Sequence, residues 1–300
     1  MDWILFGVFV LLMFGGVPVG VSMGLAGTLV VALTGLGIMS LPTNVYTGIA
    51  KYPLMAIPVF VIAGLIFERA GVAGKIVTFA SAVVGQRRGS LAITAVLVAM
   101  ILGGISGSGP ADSAAVGAVM LPSMIKAGYP RPFSASVIAA AGSTDILIPP
   151  SIAFILYSIL VPSASIPALF AAGMIPGILS GVSLIAVAWW LSVKYGFEAD
   201  STEARPPFWR SLKEAGWGLA APVVILGGMR SGFFTPTEAA VVAVFYGLIV
   251  GVVIYRTLDA RRVYHVLVES AEISSVILMV VARSRQIAEP ATQRHPVRSA

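Results

Sequence analysis

Cysteine is missing from all 300 residues, which removes disulfides, thiolate nucleophiles and Cys-ligated metals together. Histidine is nearly missing too. Only His265 and His295 supply imidazole, and both lie late in the chain. Charge is scarce, at 11% of residues where soluble domains carry roughly 25%. With 58% hydrophobic residues and a mean hydropathy of +0.96, such a chain has lipid and not water as its solvent. A basic leader and a small-residue cleavage site are also lacking before the first apolar run, so that run is expected to remain as a span.

What is there is a series of apolar runs from Ile4 to Ala282. A bilayer core of roughly 30 Å takes about 20 apolar residues per helical span, so the expected fold class is all-α, a polytopic membrane protein with a permease domain over 1–282. The polar, basic stretch 283–300 reads as a tail, disordered or foreign to the fold. Ile4 to Thr34, interrupted at Gly15, Gly16 and Pro18, reads as one broken span or two short ones. Pro53 to Phe67 is a further span, and Glu68 to Arg88 has the spacing of a helix lying at the interface. Leu91 to Ile101 and Ala114 to Ile125 flank a Gly/Ser-rich break at Gly103 to Pro110, and each half is only 11 or 12 residues, short for a crossing. Arg69, Lys75, Arg87 and Arg88 precede this segment, while Lys126 and Arg131 follow it. Both flanks are therefore cytoplasmic by the positive-inside rule, and about 89–127 reads as a re-entrant helical hairpin.

The remaining path alternates. A proline-broken span at about 133–161 crosses outward, Ala168 to Val193 returns, Gly218 to Met229 goes out and Phe233 to Tyr255 comes back. Up to residue 282 this leaves only Lys51 and Arg230 among the basic residues outside. The run Ile273 to Ala282, after an amphipathic stretch Val263 to Glu269, stops short.

Two breaks concentrate the candidate chemistry. The first, Gly104 to Ser113, offers Ser106, Gly107, Ser108, Gly109, Asp112 and Ser113. Irregular backbone at membrane depth persists only beside protein or a water-filled cavity. Freed carbonyls at half-helix C-termini bind cations there, and free amides at half-helix N-termini attract anions. A surface loop of the same composition is the alternative. The second break, Gly142 to Ser151, holds Ser143, Thr144, Asp145, Pro149, Pro150 and Ser151. Two consecutive prolines remove two backbone donors and leave carbonyls free in the turn before them, which suits sodium; a packing kink is the alternative. Asp112 and Asp145 are the only acids between Leu91 and Val193. Intramembrane acids are functional by default, a boundary-loop position being the other reading.

Other classes fare worse. Gly104-Ile105-Ser106-Gly107 matches the GxSG of rhomboid intramembrane proteases, yet that chemistry needs a histidine base on a neighbouring span. Asp112 with Asp145 imitates an aspartyl intramembrane protease, but the GxGD context is absent. No catalytic residue is assigned, and the chain is not expected to be an enzyme. A channel builds its filter from copies of one element, whereas these two breaks differ. The basic clusters between apolar runs are topology signals, not a nucleic-acid surface. Gly173, Gly177 and Gly181, at spacing four, favour close helix packing. Trp189 and Trp190 near Lys194 read as an interfacial anchor.

Three stretches resemble the large membrane subunit of the tripartite ATP-independent periplasmic (TRAP) transporters. They are Gly103 to Pro122, Ile148-Pro149-Pro150-Ser151-Ile152, and Phe234-Thr235-Pro236-Thr237-Glu238-Ala239-Ala240. The resemblance runs from the N-terminus to about Ala282 and implies the first half of an inverted-repeat ion-transporter fold. It implies a bacterial inner-membrane subunit that works with a small membrane subunit and a periplasmic solute-binding protein to import small organic acids such as C4-dicarboxylates. Sodium would be the coupling ion, with no other cofactor. Carried onto this chain, Ser106 to Asp112 match the first hairpin tip and Gly142 to Ser151 the first broken span. Ser106, Ser108, Asp145 and backbone carbonyls would then serve sodium. Gly109-Pro110 and Asp112 stand where many relatives have small or hydroxyl residues, and Asp145 where glycine is usual. The second hairpin and second broken span of the family have no counterpart here, so this polypeptide by itself is expected not to transport.

Overall fold

The computed structural model describes residues 2–34, 46, 50, 52–161, 163–197 and 206–294, with backbone alone at 2 and 283–294. Lys51, Arg205 and His295 lie outside the described residues. Every regular element in that set is helical, as expected for an all-α membrane protein. Four helices, Tyr52–Arg69, Ile166–Lys194, Pro236–Ile254 and Ala260–Ala282, are long and apolar enough to cross a bilayer.

The chain divides into two compact units, one of residues 1–54 with 271–300 and one of 55–270. In the first, α1 (Asp2–Phe14) and α2 (Val19–Thr34) are packed together. The turn between them forms where Gly15, Gly16 and Pro18 interrupt the apolar run, with Gly16 at φ +83°. Of the two readings of Ile4 to Thr34, the pair of short helices is the one formed. Gly20 of α2 lies against Met279, on the later part of the last helix, α12 (Ala260–Arg294). That helix runs without interruption through 283, where the polar stretch begins.

The second unit is built around α5 (Ser90–Ser106). Twelve of its 17 residues are buried, because other helices meet it on every side: α3 (Ala56–Arg69), α4 (Val72–Val84), α6 (Gly109–Lys126), α7 (Arg131–Asp145), α9 (Ile166–Lys194) and α10 (Phe208–Arg230). α8 (Ile152–Leu160) continues from α7 after the break, and α11 (Pro236–Leu248) lies against α3 and α10. Thr235 and Glu238 close a reciprocal capping box at the start of α11, with Pro236 in its first turn, as their spacing predicts.

The hairpin differs from expectation in its arms. They are 17 and 18 residues long, with only Gly107 and Ser108 between them. Gly103 to Ser106 and Gly109 to Ser113 are helical after all. Glycine and serine lower helix propensity by under about 1 kcal/mol each, and burial among neighbouring helices overrides that cost. The turn falls where a residue in the left-handed region stops α5: Gly107, at φ +65°, returns its N–H to Gly103 O. Ser108 is then the N-cap and Pro110 sits in the first turn of α6. Near its other end, α11 passes into a π-helical turn, Ile249–Ile254. The apolar run there carries no sequence signal of the change.

Candidate functional site

The two breaks meet. Ile152 N–H, at the start of α8, donates to Gly107 O at the hairpin tip over 3.3 Å. That approach needs bare backbone, since a Cβ on Gly107 would overlap Pro150 O and one on Gly109 would overlap Gly142 O. Gly142 in turn leaves room for Ser113 Oγ. Gly103 stands against Asp145, where an added Cβ would lie 2.5 Å from the Asp145 Cβ. The peptide between Pro149 and Pro150 is cis.

Within this junction the polar groups divide into satisfied and unsatisfied. Ser106 Oγ donates to Asp112 Oδ2 at 2.5 Å and accepts from Ser108 N–H at 3.1 Å. Asp112 lies in the first turn of α6, where the helix dipole favours negative charge. Ser151 is fully buried and caps α8 by accepting from Phe154 N–H. Thr144 donates to Ala141 O. Asp145, the last residue of α7, is fully buried, and neither of its carboxylate oxygens has a hydrogen-bond partner among the described residues. The charged side chain that acts on it is Asp112, with the two carboxyl groups side by side. Among the described residues, ion pairs join Arg69 to Glu269 and Arg210 to Glu214, and none reaches Asp112 or Asp145. Among the described residues, two buried carboxylates thus face one junction with no ion-pair partner.

Ser106, Gly107, Ser108, Gly109, Asp112, Ser113, Thr144, Asp145, Pro149, Pro150 and Ser151 all belong to the two touching breaks. Ser143 stands apart. It is exposed and its hydroxyl donates back to Ala140 O. Ser106, the serine of the GxSG match, donates to a carboxylate and not to an imidazole.

The chain matches the family described as "Tripartite ATP-independent periplasmic transporter, DctM component" over residues 6–295. It belongs to the DctM family. Among similar proteins in that family, the isethionate TRAP transporter permease protein DctMQ of Oleidesulfovibrio alaskensis is 37% identical over 281 residues, covering 93% of this chain and 44% of that one. The C4-dicarboxylate TRAP transporter large permease protein DctM of Rhodobacter capsulatus is 36% identical, covering 94% and 67%. The 2,3-diketo-L-gulonate TRAP transporter large permease protein YiaN of Escherichia coli is 37% identical, covering 90% and 64%. The chain thus spans between 44% and 67% of the length of these relatives.

Several residues that shape the junction in this DctM chain escape a reading of the two breaks alone. Gly64 on α3 backs Ser106, and Gly104 faces Pro222 on α10. Gly173 and Gly177 of α9 receive Leu147 and Ile148 of the second break, while Gly181 receives Met100 of α5. The spacing of the α9 glycines was legible as a packing face; which break they hold was not. Gly64 offers only the weaker signal of a lone glycine in an apolar span.

Proposed function

We propose that this chain forms the ion- and substrate-handling part of the large permease of a sodium-driven secondary transporter for small organic acids. It would work in the bacterial inner membrane with a small membrane subunit and a periplasmic binding protein. The observation that carries this reading is the unpartnered, fully buried Asp145 carboxylate beside the Ser106–Asp112 pair. A bare carboxylate in a dry interior is costly, and a hard cation held by carboxylate, hydroxyl and carbonyl oxygens removes that cost. Ser106, Ser108, Asp145 and the carbonyls before Pro149 supply those oxygens. Asp112 adds negative charge, and the positive ends of the α6 and α8 dipoles border the same junction, where they would attract an anionic substrate. Support for the substrate class comes from the relatives, each named for an organic anion.

The test is thermal unfolding of the purified chain in detergent, titrated with sodium against potassium or choline at constant ionic strength. Sodium alone should raise the melting temperature, by about 2.7 kcal/mol of stabilisation at a hundredfold excess over Kd. Asp145→Asn should remove that response and leave the Ser143→Ala control unaffected. Equal responses to all three cations, or a sodium response intact in Asp145→Asn, would overturn the ion assignment.

A further inference from the structure

Apart from this junction, the second unit has a cavity of about 340 Å³ between the first turns of α9 and the last turns of α10. That volume is at the small end of ligand pockets, roughly 300–1,000 Å³. Its floor is apolar, made by Phe170, Met174, Leu226 and Met229, and a single charged side chain, Arg230, stands at its edge. Arg230 is exposed and has no ion-pair partner among the described residues. Beyond Met174, α9 turns Ile175, Ile178, Leu179 and Val182 outward, between 48% and 75% exposed. The cavity therefore opens beside an exposed apolar face that an acyl chain would complement. By the distribution of basic residues, the start of α9 and the end of α10 lie at the outer surface, which puts Arg230 at headgroup level.

We propose that this cavity binds one anionic phospholipid of the outer leaflet, with part of an acyl chain on the Phe170–Met174 floor and the phosphate on Arg230. The charge pattern selects that occupant. A hydrophilic diacid would pair one carboxylate with Arg230 and press the other against methionine and leucine, at the cost of desolvating it. A phospholipid has one anionic end and a long apolar one, as the cavity does. The guanidinium suits a phosphate because it presents paired donors in a rigid fork.

Native mass spectrometry of the full chain in detergent, with added dioleoylphosphatidylglycerol or dioleoylphosphatidylethanolamine, tests this. One phosphatidylglycerol should be retained about fivefold more than phosphatidylethanolamine, the factor equivalent to ~1 kcal/mol for one basic residue at an anionic lipid surface. Arg230→Gln should bring the two lipids level, and Arg230→Lys should keep most of the preference. Ala171→Phe, which fills the cavity without touching the charge, should lower retention of both. If that variant does not fold, the Arg230 pair decides alone. No headgroup preference in the parent chain, or a preference unchanged in Arg230→Gln, would overturn the proposal. Displacement of phosphatidylglycerol by millimolar succinate would also overturn it, marking a site for soluble anions. None of these outcomes depends on sodium, so the ion reading stands or falls separately.

Discussion

At the scale of single residues, the junction rests on positions where a side chain would collide. Gly107 combines two demands, a φ of +65° and contact with Pro150 O. Placing an L-residue in the left-handed region costs about 1–2 kcal/mol, and overpacking adds about 1–3 kcal/mol. Gly107→Ala should therefore destabilise the chain by about 2–5 kcal/mol in detergent unfolding. Gly71 isolates the first demand, since its φ is +75° but an added Cβ meets nothing within 4 Å. Gly71→Ala should cost only about 1–2 kcal/mol. Equal losses at the two positions would show that contact with the second break does not matter. The acids follow another logic. Asp112 and Asp145 were legible as the only carboxylates in a long apolar body, and composition alone singles them out. That one is satisfied by Ser106 and the other bare was not legible, because it depends on which rotamers and turns bring the two breaks together.

For whole elements, most of the order could be read from the sequence. The proline break between α7 and α8, the turn between α1 and α2 and the capping box at Thr235 all have local causes: a missing N–H, a permissive glycine, a hydroxyl three residues before a glutamate. The arms of the hairpin were misjudged, because Gly and Ser near 103–113 lower helix propensity only slightly and tertiary contact decides. The π turn at Ile249–Ile254 was invisible, since its residues pack as helix formers of either kind. A full-length arm makes the hairpin reading depend on charge more than on length. α5 at 17 residues is about 25 Å long, close to the thickness of the bilayer core. Single cysteines at Gln86 and Ala127, on opposite sides of the hairpin in a chain with no native cysteine, settle the point. Both should react with a membrane-impermeant maleimide only from the cytoplasmic face, and labelling from opposite faces would turn the hairpin into two crossings.

For the molecule as a whole, the uneven placement of basic residues predicts one orientation. Phe233, 81% exposed and just past Arg230, should as Phe233→Cys label only from the periplasm. Labelling from the cytoplasm would invert the whole path and move the lipid cavity to the inner leaflet. What could not be read along the chain was convergence, the meeting of segments far apart in sequence at bare backbone. Gly64 with Ser106, Gly103 with Asp145, Gly177 with Ile148, Gly218 with Val72 and Gly247 with Ile66 repeat that contact through the second unit. This has a consequence for mutational tolerance. In a saturation scan scored for folded protein, these glycines should reject nearly every substitution, hydrophobic ones included, while the exposed Ile175 and Leu179 accept any apolar residue. The map of intolerance would then trace atoms that are not there, and a search for important residues by their chemical groups would pass over much of what holds the acids in place.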